Sequence, residues 1–164
     1  MGNAHHVEVP ELDFADVISA LSLALDLAEK KQLQHARRVT YVAMRLAERL
    51  GLSQDDLQRI YLAGMLHDIG ITGHFEEIES VPESELVRRH PLKGKEIVNS
   101  LPHCAEAGEV IACHHERWDG KGYPAGVGGQ EIPLVSRIIF LADRFEIDFH
   151  GSEPRLDLEL LLAG

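Results

Sequence analysis

Residues 114–124 read His-His-Glu-Arg-Trp-Asp-Gly-Lys-Gly-Tyr-Pro, and this stretch joins two adjacent imidazoles to a glycine-rich loop. The apolar run before it predicts a helix, and the glycines after it cannot continue that helix. A histidine that points into a helical core is more often a hydrogen-bonded core residue than a metal ligand. The histidine pair therefore indicates a metal site only if the chain supplies further ligand residues.

Candidate partners are present on other predicted helices. They are His35, His67, Asp68, His90 and Asp143. His35 shares a helix face with Val39 and Val42, so it points towards the core. An ionised Asp68 among leucine, methionine and isoleucine needs a cation or a salt bridge nearby. Imidazoles and two carboxylates from separate helix ends predict a dinuclear centre for transition metals rather than for calcium.

Length and composition predict one globular domain. A chain of 164 residues can bury a core but is too short for two domains of ordinary size. The formal charge of −11 argues against a surface for polymeric nucleic acid. A small phosphate substrate stays possible, because bound metal ions would supply local positive charge. No membrane-length apolar run or secretory signal is found, so we expect a cytoplasmic protein that does not contact a membrane.

Apolar residues at three- and four-residue spacing predict an all-α bundle of about six to seven helices. We expect residues 1–12 to form a flexible tail and residues 13–29 to form the first helix. The motif-bearing core then covers residues 30–146, and a shortened C-terminal part covers residues 147–164.

Several helix ends are predicted by their capping residues. Gly51 should end the second helix, and Ser53 should cap the third. Residues 69–73 should end the third helix, and the fifth helix should run from Ala105 to about Glu116. The fourth helix should begin either near residues 82–85 or after His90, because Pro91 suits a first helical turn and would leave His90 at the entrance.

Taken together, these motifs resemble the HD-GYP family of the HD phosphohydrolase superfamily. The matching segments are His67-Asp68-Ile69-Gly70, His90-Pro91-x-x-Gly94, the stretch 114–124, Ile132-Pro133, and Arg137-Ile138 before Ala142-Asp143. The resemblance covers about residues 30–146, and its string from the histidine pair to Gly-Tyr-Pro is highly specific. It implies a helical bundle that binds two or three metal ions and cleaves cyclic di-GMP.

The resemblance also implies roles for the matched residues. One ion would be held by His35, His67, Asp68 and Asp143, and the other by Asp68, His90, His114 and His115. Asp68 would bridge the two ions and their nucleophilic water, and the hydroxide formed there would attack phosphorus. Iron or manganese is expected, with zinc or nickel as alternatives. The substrate would contact Arg117, Lys121, Gly122, Tyr123 and Pro124.

Three departures from the family pattern narrow these expectations. Ile71 stands where members carry lysine, which removes a phosphate contact worth about 1.5 to 3 kcal/mol unless Arg117, Lys121 or another base compensates. Lys31 stands where three-metal members carry glutamate, so we expect two ions. After Asp143 the chain lacks the family's Asp-Ala-Leu and the basic segment that follows it.

The leading hypothesis is a metal-dependent phosphodiesterase that hydrolyses a cyclic dinucleotide, above all cyclic di-GMP. One alternative keeps the chemistry and changes the substrate to another phosphoester. Another is a catalytically weak regulatory module that binds metal and nucleotide, which Ile71 and the missing basic segment favour. A regulatory protein is an expected partner, and the sequence does not predict the oligomeric state.

Overall fold

The computed structural model describes residues 13–28, 34–72 and 83–151. Over these ranges it contains seven α-helices and two short 3₁₀ turns, and no strand. The helices are α1 Phe14–Ala28, α2 His35–Leu50, α3 Gln54–Leu66, α4 Ile69–Thr72, α5 Glu83–Ser100, α6 Gly108–Ala112 and α7 Leu134–Gly151. The prediction of an all-α bundle of six to seven helices is confirmed. Lys31, the expected tail 1–12 and the segment after residue 151 lie outside the described residues, and the domain boundaries stay a prediction.

The core of the bundle lies between α2, α3, α6 and α7. Helix α2 packs against α3 and α7, and α5 packs against α4 and α6. Fully buried aliphatic side chains fill the space between them, among them Val39, Ile60, Leu66, Ile111 and Ile139. This packing brings the ends of several helices to one interior position.

The predicted capping residues end and begin their helices as expected. Gly51 has a φ of 70° and donates its N–H to carbonyls of the last turn of α2. A left-handed backbone of this kind carries no steric penalty in glycine. The Oγ of Ser53 accepts a hydrogen bond from the N–H of Asp56 at 3.2 Å, so Ser53 caps α3.

Three predictions of helix bounds were wrong in detail. Residues 69–72 form the separate helix α4 and do not simply end α3, which stops at Leu66. The fifth predicted helix is a 3₁₀ turn at Ala105–Ala107 followed by α6, so the histidine pair lies in the turn after α6 and not on its last residues. The sequence also predicts a sixth helix from about Pro133 to Phe145 with a loop after it, whereas α7 continues to Gly151.

His90 lies inside α5, because the helix begins at Glu83 and Pro91 is an interior residue. The earlier of the two predicted starts is therefore confirmed, and the placement of His90 at a helix entrance was wrong. Proline has no N–H to donate to the carbonyl four residues before it, which here belongs to Val87. The Nδ1 of His90 lies 2.6 Å from that carbonyl oxygen and replaces the lost backbone donor.

No helix within the described ranges has the length and apolar character required to cross a bilayer. This agrees with the absence of a membrane-length run in the sequence, and the cytoplasmic location stays a prediction.

Candidate metal centre

All seven predicted ligand residues converge in the interior of the bundle. Helix α2 supplies one, the turn after α3 two, α5 one, the turn after α6 two and α7 one. Five of them have under one-tenth of their surface exposed, namely His35, His67, His90, His114 and Asp143. Asp68 and His115 are the more accessible members. The cluster thus has a buried side and a side that opens towards solvent through these two residues.

One group of ligand atoms combines α2, the turn after α3, and α7. His35, His67 and Asp68 each place a ligand atom within 4.8 Å of the others. The Oδ1 of Asp143 lies 3.3 Å from the Nε2 of His35 and 3.8 Å from the Nε2 of His67. These four side chains are the ones that the resemblance assigns to a single ion.

A second group lies beside the first and shares Asp68 with it. Asp68, His90, His114 and His115 place ligand atoms within 4.8 Å of one another. The Oδ2 of Asp68 is 3.0 Å from the Nε2 of His67, whereas its Oδ1 is 3.4 Å from the Nε2 of His90. The two oxygens of one carboxylate therefore face the two groups, which is the arrangement of a bridging ligand.

Backbone carbonyls fix the tautomer of three of these histidines. The Nδ1 atoms of His67, His90 and His114 lie 2.9, 2.6 and 2.5 Å from the carbonyl oxygen three residues earlier in the chain. A carbonyl oxygen only accepts, so each Nδ1 carries the hydrogen. In a neutral ring the Nε2 then has a lone pair, and in all three residues this atom faces the cluster.

The fixed tautomers bring two lone pairs together at the contact between His90 and His114. Their Nε2 atoms are 3.2 Å apart, and both are acceptors in the neutral rings. Burial lowers the pKa of His114 well below its usual 6.5, and the neighbouring His115, His90 and His67 lower it further. A proton on His114 is therefore disfavoured near neutral pH, whereas a shared metal ion would satisfy both lone pairs. The donor set fits a divalent transition metal.

His35 is oriented by a carboxylate instead of a carbonyl. Its Nδ1 lies 2.5 Å from the Oε2 of the buried Glu146, and the Nε of Arg38 donates to the Oε1 of the same residue at 2.7 Å. Burial raises the pKa of Glu146, but the hydrogen bonds from His35 and Arg38 outweigh burial and leave that pKa below its usual value. Glu146 thus stays charged and holds the His35 ring.

Glu146 was not predicted from the sequence, where the segment after Asp143 was informative only for the family motif that it lacks. Two spacings could have revealed the role: Glu146 lies three residues after Asp143, and Arg38 three residues after His35, so each pair shares a helix face.

The loop of residues 116–126 folds back over the histidine pair. A Cβ on Gly122 would lie 2.5 Å from the Cα of Glu116, so only glycine permits this approach. The buried Glu116 accepts hydrogen bonds from the N–H groups of Ala125 at 2.6 Å and Gly126 at 3.1 Å, a role that the sequence analysis also missed. The ring of Tyr123 lies 4.8 Å from that of His115. The loop therefore forms one wall beside the accessible side of the cluster.

The predicted substrate residues fall into two sets. Gly122, Tyr123 and Pro124 belong to this wall. Arg117 is exposed and donates two hydrogen bonds to Asp119, at 3.0 and 2.8 Å. Lys121 is exposed, and no contact between its side chain and the cluster is seen among the described residues. The structure thus brings the aromatic part of the stretch to the cluster, and the arginine to Asp119.

Comparison with known proteins agrees with this geometry. A model of the HD domain family matches residues 20–156. The chain belongs to the HD domain family. Its Gly-Tyr-Pro loop beside the paired histidines, and relatives named as cyclic dinucleotide phosphodiesterases, identify the HD-GYP type within that family.

Two relatives from the curated proteins illustrate the match. The cyclic di-GMP phosphodiesterase response regulator RpfG of Xanthomonas campestris is 34% identical over 139 residues, which cover 80% of this chain and 37% of the relative. The 3'3'-cGAMP-specific phosphodiesterase 1 of Vibrio cholerae is 34% identical over 150 residues, which cover 83% of this chain and 34% of the relative. The chain thus spans little more than a third of the length of such relatives.

A solved structure supports the fold. The crystal structure of a cyclic GMP-AMP specific phosphodiesterase of Vibrio cholerae aligns over 91% of this chain and 44% of its own, with a TM-score of 0.72 and 22% identity. At this identity the likeness establishes the helical fold.

Proposed function

We propose that this chain is a metal-dependent phosphodiesterase that hydrolyses a cyclic dinucleotide, with cyclic di-GMP as the first substrate to test. The observation that carries the proposal is the pair of ligand groups joined by Asp68, whose two oxygens face His67 and His90. The names of the relatives, which are phosphodiesterases of cyclic di-GMP or 3'3'-cGAMP, support the substrate class.

The seven ligand residues would hold two divalent ions. His35, His67, Asp68 and Asp143 would hold one, and Asp68, His90, His114 and His115 the other. When bound, such a pair of ions lowers the pKa of water and neutralises charge on phosphoryl oxygens. Iron and manganese suit this mixture of imidazole and carboxylate, and zinc and nickel are alternatives.

The protein's own residues would position the substrate at the accessible side of the cluster. Asp68 and His115 are the ligands nearest to solvent, and the Tyr123 ring lies beside His115. A scissile phosphate that enters past Tyr123 would reach the space between the two ligand groups that share Asp68. The remaining ligands are buried and exclude bulk water from the far side. A regulatory protein partner and a cytoplasmic location stay predictions from the sequence.

A panel of substrates tests the proposal. The purified chain, loaded with manganese or with iron under anaerobic conditions, is incubated with cyclic di-GMP, 3'3'-cGAMP and a chromogenic model diester such as bis-p-nitrophenyl phosphate. We expect metal-dependent conversion of a cyclic dinucleotide to its linear form or to mononucleotides. His115→Ala should lower the rate by at least about 100-fold. His103→Asn should not, because His103 is exposed and its φ of 61° suits asparagine.

The outcomes separate the alternatives. Turnover of the model diester alone would favour a phosphohydrolase with another substrate. Tight binding of cyclic di-GMP by metal-loaded protein, without turnover, would favour the regulatory module and contradict the proposed reaction.

A further inference from the structure

Arg88 lies at the accessible side of the metal cluster. It belongs to α5, two residues before His90, and its side chain is exposed. Its guanidinium carbon is 5.2 Å from the centroid of the Tyr123 ring, and that ring is 4.8 Å from the His115 ring. One aromatic ring therefore separates the Arg88 side chain from a ligand residue of the proposed centre.

Three arginines on other elements, Arg117, Arg144 and Arg38, are paired with carboxylates. Arg117 donates to Asp119 from two nitrogens, Arg144 lies 3.6 Å from Asp148, and Arg38 is bound to Glu146. No ion pair with a carboxylate is seen for Arg88 among residues 13–28, 34–72 and 83–151; its contact there is with an aromatic face. Its N–H donors are therefore more available to a ligand from solution than those of the paired arginines.

The chemistry of this position suits a phosphate. A guanidinium stacked on an aromatic ring keeps its planar fork of donors, which matches two oxygens of one phosphate group. The chain has a formal charge of −11, so a cationic side chain at the accessible side of the cluster would add to the attraction that the bound ions exert on an anionic dinucleotide.

We infer that Arg88 binds a phosphate of the dinucleotide, with Tyr123 as the platform that orients it. This inference rests on the proposed function for its substrate class. It makes Arg88 a binding residue, whose loss weakens substrate affinity and leaves metal content unchanged.

The test compares Arg88→Met and Arg88→Lys with the control Lys93→Met. Lys93 is on the same helix, is partly exposed and pairs with Glu96, so its loss removes the same charge away from the Tyr123 ring. Metal content, KM and kcat for cyclic di-GMP are measured for each protein. We expect Arg88→Met to raise KM about 10-fold with little change in kcat or metal content. Arg88→Lys should be intermediate, because it keeps charge and loses the fork, and Lys93→Met should match the wild type.

Failure of the inference and failure of the proposed function give different results. If the wild type turns over cyclic di-GMP and Arg88→Met has the same KM as Lys93→Met, the inference is overturned and the proposed function stands. If the wild type does not turn over any cyclic dinucleotide, calorimetric binding of cyclic di-GMP decides. An affinity about 10-fold weaker in Arg88→Met than in Lys93→Met supports the phosphate contact, whereas equal affinities, or no binding by the wild type, overturn it.

Discussion

At the scale of single residues, each imidazole of the cluster is oriented by the partner of the ring nitrogen that faces away from the cluster. His67, His90 and His114 use Nδ1 on backbone carbonyls, so their geometry follows from the helix or turn that carries them. His35 differs because its Nδ1 contacts the carboxylate of Glu146. A negative partner makes the opposite nitrogen a stronger metal ligand than a carbonyl does.

Glu146→Gln should therefore weaken metal binding about 10- to 100-fold. The glutamine oxygen can still accept from His35, so the change removes charge and keeps the shape of the contact. Competition with a chromophoric chelator measures the affinity, and thermal unfolding checks that the loss of the Arg38 ion pair has not unfolded the chain.

The matched control for this change is Glu48→Gln. Glu48 is an exposed partner of Arg45 on α2, so the substitution removes an ion pair far from any ligand contact seen here. Surface pairs of this kind contribute little to stability. Equal metal affinities for the two variants would show that the charge of Glu146 does not act on the centre.

Most residues of the candidate site could be predicted from the sequence, since the His67-Asp68 pair and the 114–124 stretch carry the family motifs. Glu146 was not, because a glutamate on a helix face is usually solvated and its burial depends on where α7 crosses α2. The phosphate-binding residues were also harder to predict. Arg117 has the right charge, yet it is engaged by Asp119 two residues away.

At the scale of elements, the contact between α4 and α5 sets the position of His90. A Cβ on Gly70 would overlap the carbonyl oxygen of His90 and lie 2.6 Å from the backbone nitrogen of Gly94. Both neighbours are backbone atoms that cannot rotate away. The absence of a side chain at Gly70 thus lets α5 approach closely enough for His90 to meet Asp68.

Gly70→Ala should separate α4 from α5 and cost about 1–3 kcal/mol of stability. It should also lower metal affinity, because His90 moves with α5. Chemical denaturation and metal competition measure the two effects.

Gly51→Ala is the control for a glycine change without a clash. Its φ of 70° is unfavourable for alanine by about 1 kcal/mol, but no heavy atom lies within 4 Å of the added Cβ. It should lose stability and keep its metal affinity. A Gly70→Ala protein with wild-type metal affinity would contradict the role given to this contact.

Helix existence could be predicted from apolar periodicity, and some helix bounds could not. Pro91 fits either a helix start or a helix interior, and the choice depends on whether another donor satisfies the Val87 carbonyl. His90 is that donor, through its own side chain. The position of Pro91 alone therefore could not decide between the two predicted starts of α5.

At the scale of the whole molecule, the bundle holds two imidazoles with a lowered pKa, those of His114 and His115. Burial lowers the pKa of His115 to about 4, with the charge of His90 adding to the effect, and lowers that of His114 well below 6.5. Such rings stay neutral in the folded chain at pH values where the unfolded chain protonates them.

Protein freed of metal by a chelator should lose stability as the pH falls from about 6.5 towards 4. In this window the unfolded state binds more protons, so stability rises with pH and falls on acidification. Each such histidine contributes up to about 1.4 kcal/mol per pH unit. Thermal unfolding at pH 7.5, 6 and 5 measures the trend, and His115→Gln should flatten it. A Tm that is equal at pH 7.5 and 5 would contradict the buried neutral state.

The central claim is that one buried cluster holds two metal ions and that these ions are needed to hydrolyse a cyclic dinucleotide. Elemental analysis and turnover of cyclic di-GMP, measured on the same preparations, test it most directly. The wild type is compared with Asp68→Asn and with Asp55→Asn, an exposed aspartate in the first turn of α3.

We predict about two transition-metal ions per chain in the wild type and in Asp55→Asn, with turnover that chelation abolishes and added metal restores. Asp68→Asn should lose at least one ion and its turnover together. The claim is contradicted if metal-free wild type hydrolyses cyclic di-GMP as fast as loaded protein, or if protein with two ions leaves every cyclic dinucleotide intact.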